Sequence, residues 1–314
     1  MAKPRCWRLG LGVVHRQLGW PVSWAERGAD LGPVVSQDDY GPQFFVGCFL
    51  FWNILKCFHM KKIRVVILAG GQGKRMGASV PKPLVPIAGK PMICHLVESV
   101  RASGVDDRPV VVVSPAARDL FAQALGETAD LVLQETPHGT ADALRCAREV
   151  CVGSDGVMVL YGDHPFLPST TIEDLARESQ HGSGVVMLTA TVPHFADDYA
   201  AFVNWGRVIR DSDQRVVGIR EKKDASDVEC EIREVNPGMY VFPAPWVWSA
   251  LERISDNNAS GELYLTDLIS LAGADLIALS TMTVDALCVM GVNTPEELLR
   301  AERIHARDAA YVHP

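Results

Sequence analysis

Glycines and cations are concentrated directly after an apolar run in the stretch VVILAGGQGKRMGASVPKPLVPIAGKPM, residues 65–92. Glycine lets backbone N–H groups approach a phosphate chain without a Cβ atom in the way. Arg75 and Lys82 add the positive charge that a triphosphate needs. Pro81 and Pro83 stiffen the backbone around Lys82, which favours a fixed cation over a solvated one. The stretch therefore indicates a loop that wraps phosphates, although an ordinary turn between a strand and a helix remains an alternative.

Two common glycine motifs do not match this stretch. A Walker loop requires GxxxxGK[ST], which the sequence does not contain. A dinucleotide-binding fingerprint requires GxGxxG at the start of a helix. Here GGQGKRMG has the spacing GxGxxxG, and the segment that follows, ASVPKPLVPIAGKP, contains four prolines. We therefore expect a long, extended, cationic loop.

A carboxylate, Asp163, ends a second apolar run, GVMVLYGD at residues 156–163. Sites in open α/β sheets lie at the C-terminal ends of strands, and residues 68–73 occupy another such end. By position alone, Asp163 could bind a cation or cap the next helix.

The elements that must position these residues alternate between strands and helices up to about residue 192. Nearly all-apolar strands in this alternation predict a parallel sheet covered on both faces. The predicted strands are 63–69, 109–114, 130–134, 156–166 and 184–192, and the predicted helices are 91–104, 116–126, 139–151 and 169–180. A mixed region follows, with strands at 206–211, 215–221, 231–242 and 285–292 and helices near 245–254, 264–273 and 294–310.

Composition narrows the class of protein. The 314 residues are 22% charged and 48% apolar with a net charge of −8, which is typical of a globular protein and argues against a nucleic-acid binder that neutralises phosphates. Eight cysteines contain no CxxC pair, so neither a zinc site nor a disulfide framework is indicated. Their scatter is typical of reduced thiols, and we predict a cytoplasmic location.

Residues 1–59 differ in composition from residues 60–314, with a net charge of +2 against −10. They include most of the apolar segment FFVGCFLFWNILKCFHM at 44–60, which is at the short limit for a membrane span and contains Asn53 and Lys56. A membrane anchor, a structured extension and a translated upstream region are all compatible with this pattern. We favour the third, so a membrane partner is not expected, and we predict that the functional domain spans 60–314.

Several motifs together carry a family resemblance. LAGGQGKRMGASVPKPLVPIAGKPM resembles the signature LxxGxGxRM…PKxLxxxxGKPM of sugar-1-phosphate nucleotidyltransferases. VLQETPHGTADAL (132–144) resembles the pyrimidine-binding segment of that family, and VLYGDHPFL (159–167) resembles its metal-aspartate motif. The remaining matches follow the order found in bacterial N-acetylglucosamine-1-phosphate uridylyltransferases: WGRVIRD, GIREKKDA, EVNPGMYVF, NNASGELYLTDLISLA and VMGVNTPEELLRAER.

The resemblance implies a fold, a reaction and roles for residues. The fold is the Rossmann-like, three-layer α/β fold of nucleotide-diphospho-sugar transferases, with a mostly parallel sheet and an added mixed β region. The reaction converts UTP and a sugar 1-phosphate into a UDP-sugar and pyrophosphate with Mg²⁺ as cofactor. Arg75 and Lys82 are implied as catalytic cations that hold the triphosphate, and Asp163 and Asn293 as ligands of Mg²⁺.

The substrate-binding residues are also implied by the resemblance. Those that meet uridine and phosphate are Leu68, Ala69, Gly70, Gly71, Gln134, Gly139 and Thr140. Those that meet the sugar or its phosphate are Tyr161, Gly162, Gly206, Glu221 and Asn236, with Tyr264 helping to close the pocket.

The sequence departs from the family pattern at several positions. Lys74 stands where relatives often carry Thr or Ser, NPG at 236–238 replaces N-T-G, and His138 precedes Gly139. The approach PHFADDYAAFVNWGR (193–207) is longer than usual, and it places Asn204 and Trp205 near the sugar. The identity of the sugar is therefore left open.

Alternative functions remain at this point. One is a thymidylyl- or cytidylyltransferase for another phosphorylated metabolite, and another is a catalytically inactive nucleotide-sugar-binding homologue. No hexapeptide repeat follows residue 290, so we predict that the acetyltransferase region of bifunctional family members is lacking. The sequence does not indicate an oligomeric state.

Overall fold

The computed structural model of the protein describes residues 62–71 and 80–307. Arg75 and the predictions for residues 1–59 lie outside the described residues and stay predictions. Among the helices formed by the described residues, none is both long and apolar enough to cross a bilayer.

The first half of the central sheet is parallel. Its strands are β1 (Ile63–Leu68), β4 (Val110–Val113), β5 (Asp130–Leu133) and β6 (Gly156–Tyr161). They lie in the order β5-β4-β1-β6, and every pairing is parallel. A short antiparallel ribbon, β2 (Pro86–Ile87) with β3 (Lys90–Pro91), separates β1 from the first helix.

The second half of the sheet is mixed. It consists of β7 (Val185–Thr191), β8 (Gly206–Arg210), β9 (Val216–Arg220), β10 (Glu234–Asn236), β11 (Tyr240–Pro243) and β12 (Leu279–Val284). From β6 the order continues β11-β7-β10-β8-β9, and these pairings are antiparallel, whereas β12 runs parallel to β7.

Helices cover both faces of the sheet. They are α1 (Met92–Ala102), α2 (Arg118–Leu125), α3 (Thr140–Cys146), α4 (Ser169–Gln180), α5 (Asp227–Cys230), α6 (Ala244–Leu251), α7 (Asp267–Ala274) and α8 (Pro295–Arg307). Side chains alternate along β1, so that Val65 and Ile67 join one apolar cluster and Val66 and Leu68 the other. The first cluster includes α1, α2, α4 and α8, and the second includes α3, α6 and α7. The predicted three-layer α/β fold is confirmed.

The predicted strand at 285–292 is wrong. The Asp285 side chain accepts a hydrogen bond from the Leu287 N–H at 2.8 Å, and a 3₁₀ turn follows at Ala286–Val289. The strand of this region is instead β12, whose sequence LSTMTV was not predicted. Most residues of β12 are only half-buried. A half-buried strand does not need a continuous apolar run, and this run is the signal that identified the central strands.

Candidate active site

The end of β1, which leads into Ala69 and Gly70, and the end of β6, which leads into Asp163, lie at one edge of the sheet because β1 and β6 are neighbouring parallel strands. Leu68 is in register with Tyr161, and the Gly162 N–H donates to the Leu68 carbonyl at 3.0 Å. The Ala69 N–H donates to the Val112 carbonyl at 2.9 Å. The Leu68 carbonyl and the Ala69 N–H are therefore already hydrogen-bonded within the sheet. A ligand that contacts the backbone here must use other backbone groups.

Lys82 lies between the two predicted metal ligands. Its Nζ atom donates to Asp163 Oδ2 at 2.6 Å and to Asn293 Oδ1 at 2.8 Å. Lys82 opens a short 3₁₀ turn between Pro81 and Pro83, which agrees with the fixed cation expected from the sequence. The structure thus brings three predicted residues, from three distant parts of the chain, into direct contact.

Asp163 is an ionised carboxylate in this arrangement. Burial by itself would raise the pKa of Asp163, but the adjacent Lys82 ammonium outweighs burial and holds this pKa below its ordinary value. A carboxylate that stays charged while largely buried remains ready to bind a cation.

Asn293 is positioned by the start of α8. The Val292 N–H donates to the Asp163 backbone carbonyl at 2.9 Å, which joins this loop to the end of β6. The Glu297 carboxylate accepts from the Asn293 N–H at 2.5 Å, and the Glu297 N–H donates to Thr294 Oγ1. Glu297 was not predicted, but the helix-start pattern Thr294–x–x–Glu297 is a signal that could have identified it.

A cavity of about 300 Å³ opens beside this centre. It collects seven of the predicted site residues, together with Tyr264: Thr140, Tyr161, Asp163, Gly206, Glu221, Asn236 and Asn293. It is also lined by residues that were not assigned roles from the sequence, among them His164, Glu262, Thr266 and Glu297. Asn204 and Trp205, noted as departures from the family pattern, belong to the same wall.

Polar groups in the cavity wall are suited to binding hydroxyl groups. Glu221 Oε1 accepts from the Thr266 hydroxyl at 3.2 Å, and burial raises the pKa of Glu221 above its ordinary value. Burial also raises the pKa of the Tyr161 phenol, which is hydrogen-bonded to Thr140. The wall therefore presents a neutral phenol and a partly desolvated carboxyl group within one small space.

Asn236 is held in place by its own turn. Its Nδ2 atom donates to the Tyr240 hydroxyl at 2.7 Å, and its Oδ1 atom accepts from the Gly238 N–H at 3.0 Å. An amide nitrogen carries two hydrogens and an amide oxygen two lone pairs. One hydrogen of Nδ2 and one lone pair of Oδ1 are therefore left for a ligand.

A buried amide, Gln134, follows the end of β5. Its Nε2 atom donates to Asp142 Oδ2 at 2.8 Å and to the Gly139 carbonyl at 3.3 Å. Both partners are acceptors, which fixes the amide orientation. Oε1 is the acceptor left for a ligand, and a β-carbon built on Gly70 would approach it to 3.1 Å. Glycine at position 70 therefore keeps the acceptor uncrowded.

Two predicted binding residues have a packing role in the structure. A β-carbon on Gly139 would lie 2.5 Å from the Leu263 carbonyl oxygen, and the backbone there has a φ of +104°. A β-carbon on Gly162 would lie within 3.3 Å of Ala69, Ile93 and Pro83. Neither residue lines the cavity, and Gly71, the last described residue before position 80, is exposed.

His164 and Trp205 form an aromatic side of the cavity. The His164 ring is buried, meets the Trp205 ring edge-on at 5.7 Å between centroids, and has its Nδ1 atom 2.8 Å from the Val289 carbonyl oxygen. Burial lowers the pKa of His164, so the ring is neutral near pH 7. Sequence reasoning assigned His164 no role, although its position directly after Asp163 was a signal.

The donor set around Lys82 fits a magnesium ion. A carboxylate oxygen and an amide oxygen both lie within hydrogen-bond distance of one cationic nitrogen. Mg²⁺ prefers oxygen ligands and is commonly held by one or two protein groups together with substrate phosphates and water. The described residues contain no cluster of three or more His, Cys, Asp or Glu side chains that could hold a metal ion.

The comparisons with known proteins define the class of protein. Residues 65–257 match the family of the MobA-like NTP transferase domain, and the chain belongs to this family. A solved structure from Bacillus anthracis, assigned as a glucose-1-phosphate thymidylyltransferase, is 23% identical with a TM-score of 0.62. It covers 78% of this chain and 96% of that chain. This likeness supports the fold.

Relatives of higher identity carry the name bifunctional protein GlmU. That of Azoarcus sp. (strain BH72) is 38% identical over 251 residues, which cover 79% of this chain and 53% of the relative. That of Sphingopyxis alaskensis is 39% identical over 242 residues, which cover 76% of this chain and 52% of the relative. The chain spans about half the length of these relatives. The resemblance to sugar-1-phosphate nucleotidyltransferases that the motifs indicate is thereby confirmed.

Proposed function

We propose that the protein transfers a uridylyl group from UTP to N-acetylglucosamine 1-phosphate, giving a UDP-sugar and pyrophosphate. The single observation that carries this proposal is the position of the cavity. Its hydroxyl-binding wall, with Glu221 and Tyr161, opens directly onto the centre formed by Lys82, Asp163 and Asn293. A sugar in the cavity would hold its 1-phosphate next to the cation site.

The proposed reaction needs positioning and positive charge. The sugar phosphate oxygen attacks the α-phosphorus of UTP, the bond from that phosphorus to the bridging oxygen breaks, and pyrophosphate leaves. Lys82 binds phosphate oxygens on which negative charge concentrates, and Arg75 is proposed to do the same. Asp163 and Asn293 would hold Mg²⁺, which supplies charge neutralisation for the phosphates.

The base is proposed to be read by Gln134. Uracil carries a hydrogen on N3, whereas N3 of cytosine is an acceptor. Because Asp142 and Gly139 engage Nε2, the amide offers an acceptor to the base. This arrangement favours uracil or thymine over cytosine.

A cytoplasmic location, in which nucleoside triphosphates are available, is part of the same proposal.

Pyrophosphate release tests the proposal. The purified protein is incubated with Mg²⁺, each of UTP, dTTP, CTP and ATP, and a panel of sugar 1-phosphates. We expect the highest kcat/KM with UTP and N-acetylglucosamine 1-phosphate. Faster turnover with dTTP or with another sugar would replace the proposed substrates, and no turnover with any pair would refute the proposed activity.

A further inference from the structure

We propose that His164 is a third protein ligand of the metal at this site, and that it gives the site a preference for Mn²⁺ or Co²⁺ over Mg²⁺. The inference rests on the proposed function for the presence of a metal beside Asp163 and Asn293. It goes beyond that function because it adds a nitrogen ligand to a set of oxygen donors.

The protonation pattern of His164 follows from its hydrogen bond. Nδ1 lies 2.8 Å from the Val289 carbonyl oxygen, which can only accept. Nδ1 therefore carries the hydrogen, and in the neutral ring Nε2 presents a lone pair. Protein histidines that bind metals are commonly fixed in this way, with one nitrogen donating to a carbonyl or carboxylate and the other facing the metal.

The Nε2 atom lies near another acceptor. Nε2 lies 3.6 Å from Asp163 Oδ1, which is too long for a hydrogen bond. The second oxygen of Asp163, Oδ2, is the one that accepts from Lys82. A carboxylate oxygen and an unprotonated imidazole nitrogen at this separation repel each other unless a cation or a donor lies between them. A separation of 3.6 Å is compatible with both atoms binding one ion at ordinary ligand distances of about 2.1 Å.

Two neighbours affect the surroundings of Nε2: Gly291 leaves space beside it, and Trp205 packs against the imidazole ring. A β-carbon built on Gly291 would lie 3.2 Å from His164 Nε2 and 3.6 Å from Asp163 Oδ2. A side chain at position 291 would therefore crowd Nε2 and the Asp163 oxygen that accepts from Lys82. The Trp205 ring, which also lines the cavity, packs edge-on against the imidazole and helps to hold its orientation.

The added nitrogen predicts the metal preference. Oxygen ligands suit Mg²⁺, whereas imidazole suits later first-row divalent ions, whose affinity rises from Mn²⁺ to Co²⁺ and Ni²⁺. A site with one carboxylate, one amide oxygen and one imidazole should therefore bind Co²⁺ considerably more tightly than Mg²⁺. Without the imidazole, this difference should be much smaller.

Calorimetric titration of the full chain with CoCl₂ and, separately, with MgCl₂ tests the proposal. His164→Phe keeps a ring against Trp205 and removes both nitrogens. We expect it to weaken Co²⁺ binding by about tenfold or more, with less than about twofold change for Mg²⁺. His95→Phe is the matched control, because His95 Nε2 also contacts a backbone carbonyl, that of Ile87 at 3.0 Å, and does not line the cavity. It should bind both ions as the wild type does.

A spectroscopic measurement on the wild type keeps the test independent of variant folding. Pulsed electron paramagnetic resonance of the Mn²⁺-loaded protein should show coupling to a directly bound ¹⁴N nucleus, and Asp163→Asn should abolish it. Wild-type Co²⁺ affinity in His164→Phe, or the lack of nitrogen coupling, would overturn the proposal while leaving the uridylyl transfer intact. Conversely, His164-dependent Co²⁺ binding in a protein that releases no pyrophosphate would refute the proposed function alone.

Discussion

At the scale of single residues, the centre of the account is the Lys82 ammonium between Asp163 and Asn293. These residues lie 81 and 211 positions from Lys82 along the chain, so their convergence is a product of the fold. The ammonium keeps Asp163 ionised, and Asp163 and Asn293 offer the oxygen atoms that Mg²⁺ prefers. The same three side chains are therefore proposed to serve two functions, phosphate binding by Lys82 and Mg²⁺ binding by Asp163 and Asn293.

Removal of the Lys82 charge should lower catalysis strongly. For Lys82→Met we expect kcat to fall by about 10²–10³-fold, the usual loss when a group that stabilises transition-state charge is removed. Lys90→Met is the control, because Lys90 forms an exposed ion pair with Glu98 that is far more open to solvent. Steady-state pyrophosphate release measures both variants, with thermal melting to verify folding. A kcat for Lys82→Met within threefold of the wild type would show that this lysine does not stabilise the transition state.

Base selection should depend on Gln134. The fixed acceptor predicts that the wild type uses UTP at least about tenfold better than CTP, since a buried acceptor that faces another acceptor costs about 1–3 kcal/mol. Gln134→Met should bring the UTP to CTP ratio of kcat/KM close to one. Gln123→Met, at an exposed position of α2, should leave the ratio unchanged. An unchanged ratio in Gln134→Met would mean that the base is read elsewhere.

The residues of the site could be predicted from the sequence to different degrees. The glycine loop and Lys82 were visible directly, because glycine, proline and charge have local meaning. Asn293 and Glu221 were predicted through the resemblance alone, since nothing local distinguishes them from ordinary polar residues. His164 and Glu297 were assigned no role although each has a local signal, because that signal does not reveal their contacts with Val289 and Asn293, which the fold creates.

At the scale of elements, the site is made by the ends of strands and the starts of helices. The strands β1 and β6 end side by side, and the start of α8 presents Asn293 beside Asp163. The start of α3 is tied to another part of the chain, because the Ala141 N–H donates to the Leu263 carbonyl and the Leu265 N–H donates to Thr140 Oγ1. The close approach of Gly139 to Leu263 makes this junction possible.

A side chain at Gly139 should break the junction. Gly139→Ala places a β-carbon against the Leu263 backbone at a positive φ, whereas Gly153→Ala has a similar positive φ and open space around it. The control should lose about 1–2 kcal/mol from left-handed strain. We expect Gly139→Ala to lose about 2 kcal/mol more, from the steric conflict and from its own backbone conformation (φ +104°, ψ 178°), which is essentially restricted to glycine. Urea unfolding measures both values, and equal losses would mean that the close contact is not a constraint.

Strands were predicted correctly where a buried apolar run is also a strand. Continuous apolar runs identified β1, β4 and β6, which are buried between helices. The same signal failed at 285–292, because apolar residues there are buried in a 3₁₀ turn started by Asp285. It also missed β12, whose serines and threonines are only half-buried.

At the scale of the whole molecule, the central sheet has a parallel half and a mixed half, and we assign one proposed substrate to each. The parallel half carries Gly70, Gly71, Gln134 and Asp163, which are proposed for the nucleotide. The mixed half carries Gly206, Glu221 and Asn236, which line the cavity proposed for the sugar. The strands β6 and β11 join the two halves in one sheet, so the two substrates would meet at their shared edge.

The most direct test of this account is ³¹P NMR of the complete reaction. With Mg²⁺, UTP and N-acetylglucosamine 1-phosphate, the account predicts equal amounts of pyrophosphate and a diphosphodiester with two coupled resonances, and no product with Asp163→Asn. Release of inorganic phosphate without the diphosphodiester, or unchanged product formation by a folded Asp163→Asn variant, would contradict it.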